Sequence, residues 1–151
     1  MKNRYIWDNV RVLGGAYGGS VGFSSQTGRL FFSSYRDPNV LETLTIFDSA
    51  ADSLLESEVT QKQIEETVIG CIGDLDAPMS SDQKGLMGMQ RYLIGASNEQ
   101  RYRNRREVLG TSIADVQEFG KLMMQMKKDV CVFGSKSALE QANKDLPAEI
   151  V

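Results

Sequence analysis

Apolar positions recur at helical spacing over most of this chain and read as extended in only a few places. Ile6, Val10 and Leu13 fall on one helical face and are followed by Gly14-Gly15, so residues 3–13 read as the tail of a helix that stops there. Residues 16–23 read as a strand, 24–28 as turn chemistry and Arg29–Tyr35, rich in aromatic and apolar residues, as a second strand, which together predict a β-hairpin. Asp37 followed by Pro38 supplies an N-cap and a first-turn proline for a helix over 38–57, with Val40, Leu44, Phe47, Ala51 and Leu54 on one face.

Thr60 with Gln63 forms a capping box, and the helix it opens turns Ile64, Val68 and Ile72 inward before Gly73. Beyond the break at Pro78, a helix over 82–94 has Leu86, Gln90 and Leu93 on a shared face and is weakened by Gly85 and Gly88. Ser97 with Gln100 and Ser112 with Asp115 start two more helices. The first ends at Gly110 and the second turns Ile113, Val116, Phe119, Met123 and Met126 inward. Residues 130–133 form a short, fully apolar strand, and Ser137 with Glu140 opens a last helix that ends before Pro147. The order predicts an α+β domain, an antiparallel or mixed sheet covered by several helices, with 1–151 a single domain or part of one. Three strands are few for so many helices and a helix tail stands first, so the chain is expected to begin inside a domain whose earlier strands are missing.

Composition narrows the chemistry. The 151 residues are 41% hydrophobic and 25% charged, the balance of a soluble globular domain. No apolar run approaches the roughly 18 residues that cross a bilayer, and the first eight residues lack the apolar stretch of a secretion signal, so neither a membrane nor export is expected. Seventeen basic and 20 acidic residues give a net charge of −3, which argues against broad attraction to phosphate backbones or anionic lipids. Cys71 and Cys131 lie in apolar stretches without CxxC spacing and read as buried free thiols in a reducing compartment. There is no histidine, which removes the commonest zinc ligand and the usual general base near neutral pH.

The densest glycine cluster is Gly14-Gly15-Ala16-Tyr17-Gly18-Gly19. A phosphate-cradling loop needs Lys-Ser or Lys-Thr and a helix behind it, whereas Ser20-Val21-Gly22-Phe23 reads as a strand. A tight turn accounts for Gly14 and Gly15 but leaves Gly18 and Gly19 inside a strand, where glycine marks the close approach of another backbone. Arg11 and Tyr17 bracket this turn, and both can reach one point. An arginine fork and a stiff tyrosine donor there can hold a peptide carbonyl or a developing oxyanion, although taken alone the pair is better explained by dipole and packing roles. Arg101-Tyr102-Arg103-Asn104-Arg105-Arg106 is a basic run with an interleaved aromatic, but Glu99 and Glu107 stand four residues either side of Arg103, so ion pairs along a solvated helix explain it better than nucleic-acid binding. Asp74, Asp76 and Asp82 lack the spacing of a calcium loop and read as capping and loop residues. Met87, Met89, Met123, Met124 and Met126 sit at mixed helical phases, some for a core and some for a surface or interface.

Trp7-Asp8-Asn9-Val10-Arg11-Val12-Leu13-Gly14-Gly15-Ala16-Tyr17-Gly18-Gly19, Ser34-Tyr35-Arg36-Asp37-Pro38-Asn39, Ile69-Gly70-Cys71-Ile72-Gly73-Asp74-Leu75-Asp76 and Val132-Phe133-Gly134-Ser135 together resemble the C-terminal end of presequence proteases. These are zinc peptidases of the pitrilysin and insulin-degrading superfamily. The resemblance implies a clamshell enzyme several times longer than this chain, built of four related α+β domains around a chamber. It implies zinc held in the first domain by an inverted His-x-x-Glu-His motif and a distal glutamate, none of it in this chain. At the positions of the family's auxiliary catalytic pair stand Arg11 and Tyr17, with the implied roles of hydrogen-bonding the substrate backbone and stabilising the tetrahedral intermediate formed when zinc-bound water attacks. Gly15, Gly18 and Gly19 would let that backbone approach. The partners implied are an unstructured peptide such as a cleaved targeting sequence and the N-terminal catalytic half of the same polypeptide, with no nucleic acid and no membrane. The chain by itself is expected to be inactive, and its place is the mitochondrial matrix or another organelle, or the cytoplasm if the source is bacterial. The competing expectation is a non-catalytic subunit that keeps the scaffold, as in processing peptidases.

Overall fold

A computed structural model describes residues 5–24 and 27–142. The chain is organised as two compact units, Met1–Ser57 with Gly120–Val151, and Glu58–Phe119.

The first unit is built around a helix and a hairpin. Residues 5–6 are α-helical and the winding widens to a π-helix over Trp7–Leu13. Ile6 and Val10, four apart, are fully buried as their spacing predicts, each contributing about 1.5–3 kcal/mol by burial. Leu13 is 78% exposed instead. In an i→i+5 helix three residues fall well short of a full turn, so Leu13 leaves the face that Ile6 and Val10 share.

The hairpin pairs β1, Gly18–Ser24, with β2, Arg29–Tyr35, antiparallel, with Gly18 opposite Tyr35 and Ser24 opposite Arg29. Side chains alternate between its faces. One face carries Gly19, Val21, Leu30 and Phe32, and it packs inward: a Cβ on Gly19 would lie 3.2–3.3 Å from Val10 and Ile6, and Phe32 stacks on Phe47 with centroids 5.4 Å apart. The other face carries Gly18, Ser20, Phe31, Ser33 and Tyr35; the Ser20 and Ser33 hydroxyls meet at 2.7 Å and the Phe31 ring covers Gly22.

Helix α1 is Val40–Asp48 and α2 is Ala50–Glu56. The single helix expected over 38–57 is therefore interrupted at Ser49, whose ψ of 0° departs from helical winding, while Ala50 and Ala51 are buried beside the break. Asp37 does not cap by the expected route either. Its Oδ1 accepts from the Asn39 amide at 2.9 Å and its Oδ2 from Thr43 Oγ1 at 2.6 Å.

The third predicted strand, 130–133, is corrected. Among the described residues the sheet has two strands, and 127–135 has no regular structure, with Val130 63% and Phe133 fully exposed. An apolar, β-branched run becomes a strand only where a neighbouring edge offers ladder partners, and none among the described residues pairs with it. Lys128 ties this segment to α1 through a 2.7 Å bond to Asp48. The last helix, α7, Lys136–Ala142, is opened by Ser135, which accepts from the Ala138 amide, and not by Ser137; its expected end before Pro147 falls outside the described residues.

In the second unit the caps behave as read. Thr60 and Gln63 close both bonds of their capping box at the start of α3, Gln61–Leu75, which buries Ile64 and runs two residues beyond Gly73. Helix α4, Ser81–Leu93, starts from a second capping box, Ser80 with Gln83, and buries nothing: Leu86 and Leu93 on the expected inner face are 54% and 72% exposed. Ser97 accepts from the Gln100 amide to open α5, Asn98–Leu109, which ends at Gly110. The last cap opens α6, Ile113–Gln125, whose residues from Gly120 on belong to the first unit; the expected inward residues Ile113, Val116, Phe119, Met123 and Met126 are all half-buried or buried. Met89 and Met124 are exposed, so the methionines divide between core and surface as expected. Both cysteines are free, but each is exposed, which corrects the expectation of burial.

Candidate active-site donors around a glycine turn

Arg11 and Tyr17 are presented by the turn that joins the π-helix to β1. Gly15 adopts φ +74°, which closes the helix: its amide donates to the Arg11 carbonyl at 3.1 Å and the Ala16 amide to the Val10 carbonyl at 3.1 Å. This is the Schellman arrangement widened by one residue, as a π-wound helix requires. Only glycine takes this φ without strain. Gly14 is demanded by space, since a Cβ there would lie 2.7 Å from the Val10 carbonyl oxygen.

The turn is braced from α1. The Asn39 side-chain amide donates to the Gly14 carbonyl, Asp37 accepts the Asn39 amide, and Asp37 also accepts the hydroxyl of Thr43, which is 3% exposed. Buried and half-buried polar groups are thereby satisfied, and the backbone between Arg11 and Tyr17 is held at a fixed span.

On the helix side of the turn, the Arg11 guanidinium lies 3.9 Å from the centroid of the Trp7 ring. On the strand side, the Tyr17 amide donates to the carbonyls of Tyr35 and Arg36 at 3.1 and 3.3 Å. The Tyr17 ring is 67% exposed and meets Tyr35 edge to face, with centroids 6.0 Å apart. The Arg36 guanidinium lies 5.7 Å from the Tyr17 ring and 5.5 Å from the Tyr35 ring. The Tyr17 hydroxyl has no protein hydrogen bond among the described residues, and neither does the Arg11 guanidinium; the two side chains do not bond to one another. Each stands on its own aromatic support with its donors free, able to bind a carbonyl or an oxyanion.

The three candidate glycines differ. Gly15 is explained by its left-handed φ and Gly19 by its contact with Ile6 and Val10, whereas a Cβ at Gly18 would meet nothing within 4 Å. Gly18 leaves an open strip of backbone next to Tyr17. Sequence reasoning missed the supports Trp7, Tyr35 and Arg36 as parts of the site. The signal for Trp7 was its spacing of four from Arg11, while Tyr35 and Arg36 are brought to Tyr17 only by strand register.

The other clusters resolve locally. Arg105 makes a two-pronged pair with Asp76 at 2.6 and 2.7 Å, which holds the Asp76 carboxyl below its ordinary pKa chiefly through those hydrogen bonds. The expected Glu99–Arg103–Glu107 ladder is not among the ion pairs of the described residues, and Arg101 instead donates to Asn98. The chain has no histidine, and among the described residues no three Cys, Asp or Glu side chains cluster as ligands for a zinc ion. No helix among the described residues is long and apolar enough to cross a membrane.

The chain is similar to known proteins over most of its length. The family model described as the PreP C-terminal domain matches residues 1–134. The chain is 40% identical over 147 residues, 96% of its length, to presequence protease 1, chloroplastic/mitochondrial, of Arabidopsis thaliana. It is 31% identical over 144 residues to Protein HypA of Clostridium perfringens and 29% identical over 153 residues to the mitochondrial presequence protease of Schizosaccharomyces pombe. It spans 14% of the Arabidopsis protein and 15% of each of the others.

Proposed function

The chain belongs to the PreP C-terminal domain family, and from that premise we propose that it is the C-terminal part of a zinc-dependent oligopeptidase that degrades unstructured peptides such as cleaved targeting presequences. Arg11 and Tyr17 are its auxiliary catalytic residues. The observation that carries this reading is the pair of unengaged donors, each backed by aromatic rings, on either side of a braced glycine turn with open backbone at Gly18.

Peptide hydrolysis develops negative charge on the carbonyl oxygen as it becomes tetrahedral. The Arg11 fork can hold substrate carbonyls and fix the register of the peptide, while the Tyr17 hydroxyl donates to the oxygen where charge develops. Neither donor must break an existing protein bond to do so, which keeps reorganisation small. The zinc belongs to residues outside this chain, in the N-terminal half of the same polypeptide, so the chain alone is inactive. The organellar names of two of the relatives support an organelle as the place of action.

The test is Tyr17→Phe in the intact protein. We expect kcat to fall by roughly 10- to 1000-fold, the range for loss of one oxyanion donor, with zinc content unchanged. An unaltered kcat removes Tyr17 from catalysis and favours the reading of a scaffold without chemistry.

A further inference from the structure

Arg36 is the one non-glycine residue with positive φ among the described residues, at +48°. Glycine adopts that conformation freely and an arginine does not, so the site retains a side chain its backbone would shed. The carbonyls of Tyr35 and Arg36 both accept from the Tyr17 amide, so the chain bends around Tyr17 as it leaves β2. That bend carries the guanidinium back toward both phenol rings, within the roughly 6 Å over which a cation is attracted to an aromatic face. Tyr17 needs such support. Its ring is mostly exposed, its hydroxyl has no partner among the described residues, and Tyr35 touches it only by an edge.

We propose that Arg36 is a positioning residue for Tyr17, holding the Tyr17 and Tyr35 rings as a rigid pair so that the phenol donor is oriented before substrate arrives. This rests on the reading of Tyr17 as the donor to the developing oxyanion. Arg36 itself does not touch the reacting atoms, and strain at its backbone persists because the cation is needed over the rings.

The experiment compares Arg36→Gly, Arg36→Lys, Arg36→Gln, Tyr17→Phe and the Arg36→Gly, Tyr17→Phe double variant in the intact protein, by kcat, KM and Tm. Arg36→Gly should keep or raise Tm, because glycine suits the left-handed φ, while kcat falls about 2- to 30-fold, the equivalent of one cation–π contact, with KM little changed. Arg36→Gln should fall with it, Arg36→Lys should recover part of the loss, and in the Tyr17→Phe background Arg36→Gly should cost nothing further. If Tyr17→Phe lowers kcat and neither Arg36→Gly nor Arg36→Gln does, the positioning role is wrong and the reading of Tyr17 stands. An equal loss in both backgrounds means that Arg36 acts on its own, which also overturns the proposal. If Tyr17→Phe is silent, the reading of Tyr17 fails and Arg36 has nothing to position.

Discussion

The guanidinium of Arg11 lies face-on to the indole of Trp7, four residues earlier in the same helix, at 3.9 Å. In a helix with i→i+5 winding, residues four apart come close to superposition, so the backbone itself stacks the pair. A long side chain that would otherwise sample many rotamers is confined to one region beside the turn.

Replacing Trp7 by Ala should therefore lower kcat/KM by about 2- to 5-fold, the equivalent of a cation–π contact of about 0.5–1 kcal/mol at an exposed site. Trp7→Phe should retain part of the effect. Steady-state kinetics on the intact protein decide it, and an unchanged kcat/KM for Trp7→Ala would mean that Arg11 needs no indole.

Gly18 and Gly19 are neighbours with opposite expectations. A methyl at Gly19 enters the contact with Ile6 and Val10, so Gly19→Ala should destabilise by about 1–3 kcal/mol, as overpacking does. At Gly18 there is open space, so Gly18→Ala should leave Tm unchanged or raised, yet increase KM if a peptide backbone passes over this strip. Thermal melts and KM measured side by side separate packing from substrate approach, and a Gly18→Ala protein with unaltered KM would take Gly18 out of the substrate path.

The Asp76–Arg105 pair gives a pH dependence with a definite sign. The folded-state pKa of Asp76 is held below its ordinary 3.8, so its contribution to stability is present in full above that value and is lost as pH falls through the lower folded-state pKa. Asp76→Asn should remove that part of the acid slope in thermal melts recorded between neutral pH and pH 2, and an unchanged slope would show the pair to be thermodynamically silent. Because both partners are substantially exposed, the effect should shrink with added salt.

Much of the helix layout was legible because its signals are local. Thr60 with Gln63, Ser97 with Gln100, and Gly110 act within one turn of the chain, and the hydrogen bonds they form need nothing from elsewhere. Periodicity succeeded for α6 and failed for α4, where Leu86 and Leu93 have the right spacing and no partner surface among the described residues. Spacing says which side of a helix is apolar; it does not say what lies against it. The apolar run at 130–133 failed for the same reason, because a strand is defined by its neighbour.

By itself, the amino-acid sequence determined the caps at Thr60, Ser97 and Ser112, the hairpin and the lack of an imidazole, and it singled out Arg11 and Tyr17 as candidates. Tertiary structure alone decided that Tyr35 and Arg36 stand beside Tyr17, that Asn39 and Thr43 brace the turn from α1, and that Gly19 serves packing while Gly18 stays open. The division follows from range. Covalent connectivity fixes what happens within a helical turn, whereas contacts between residues 18 or 25 positions apart exist only once a strand pairs or a helix docks, and their geometry is a property of the folded chain.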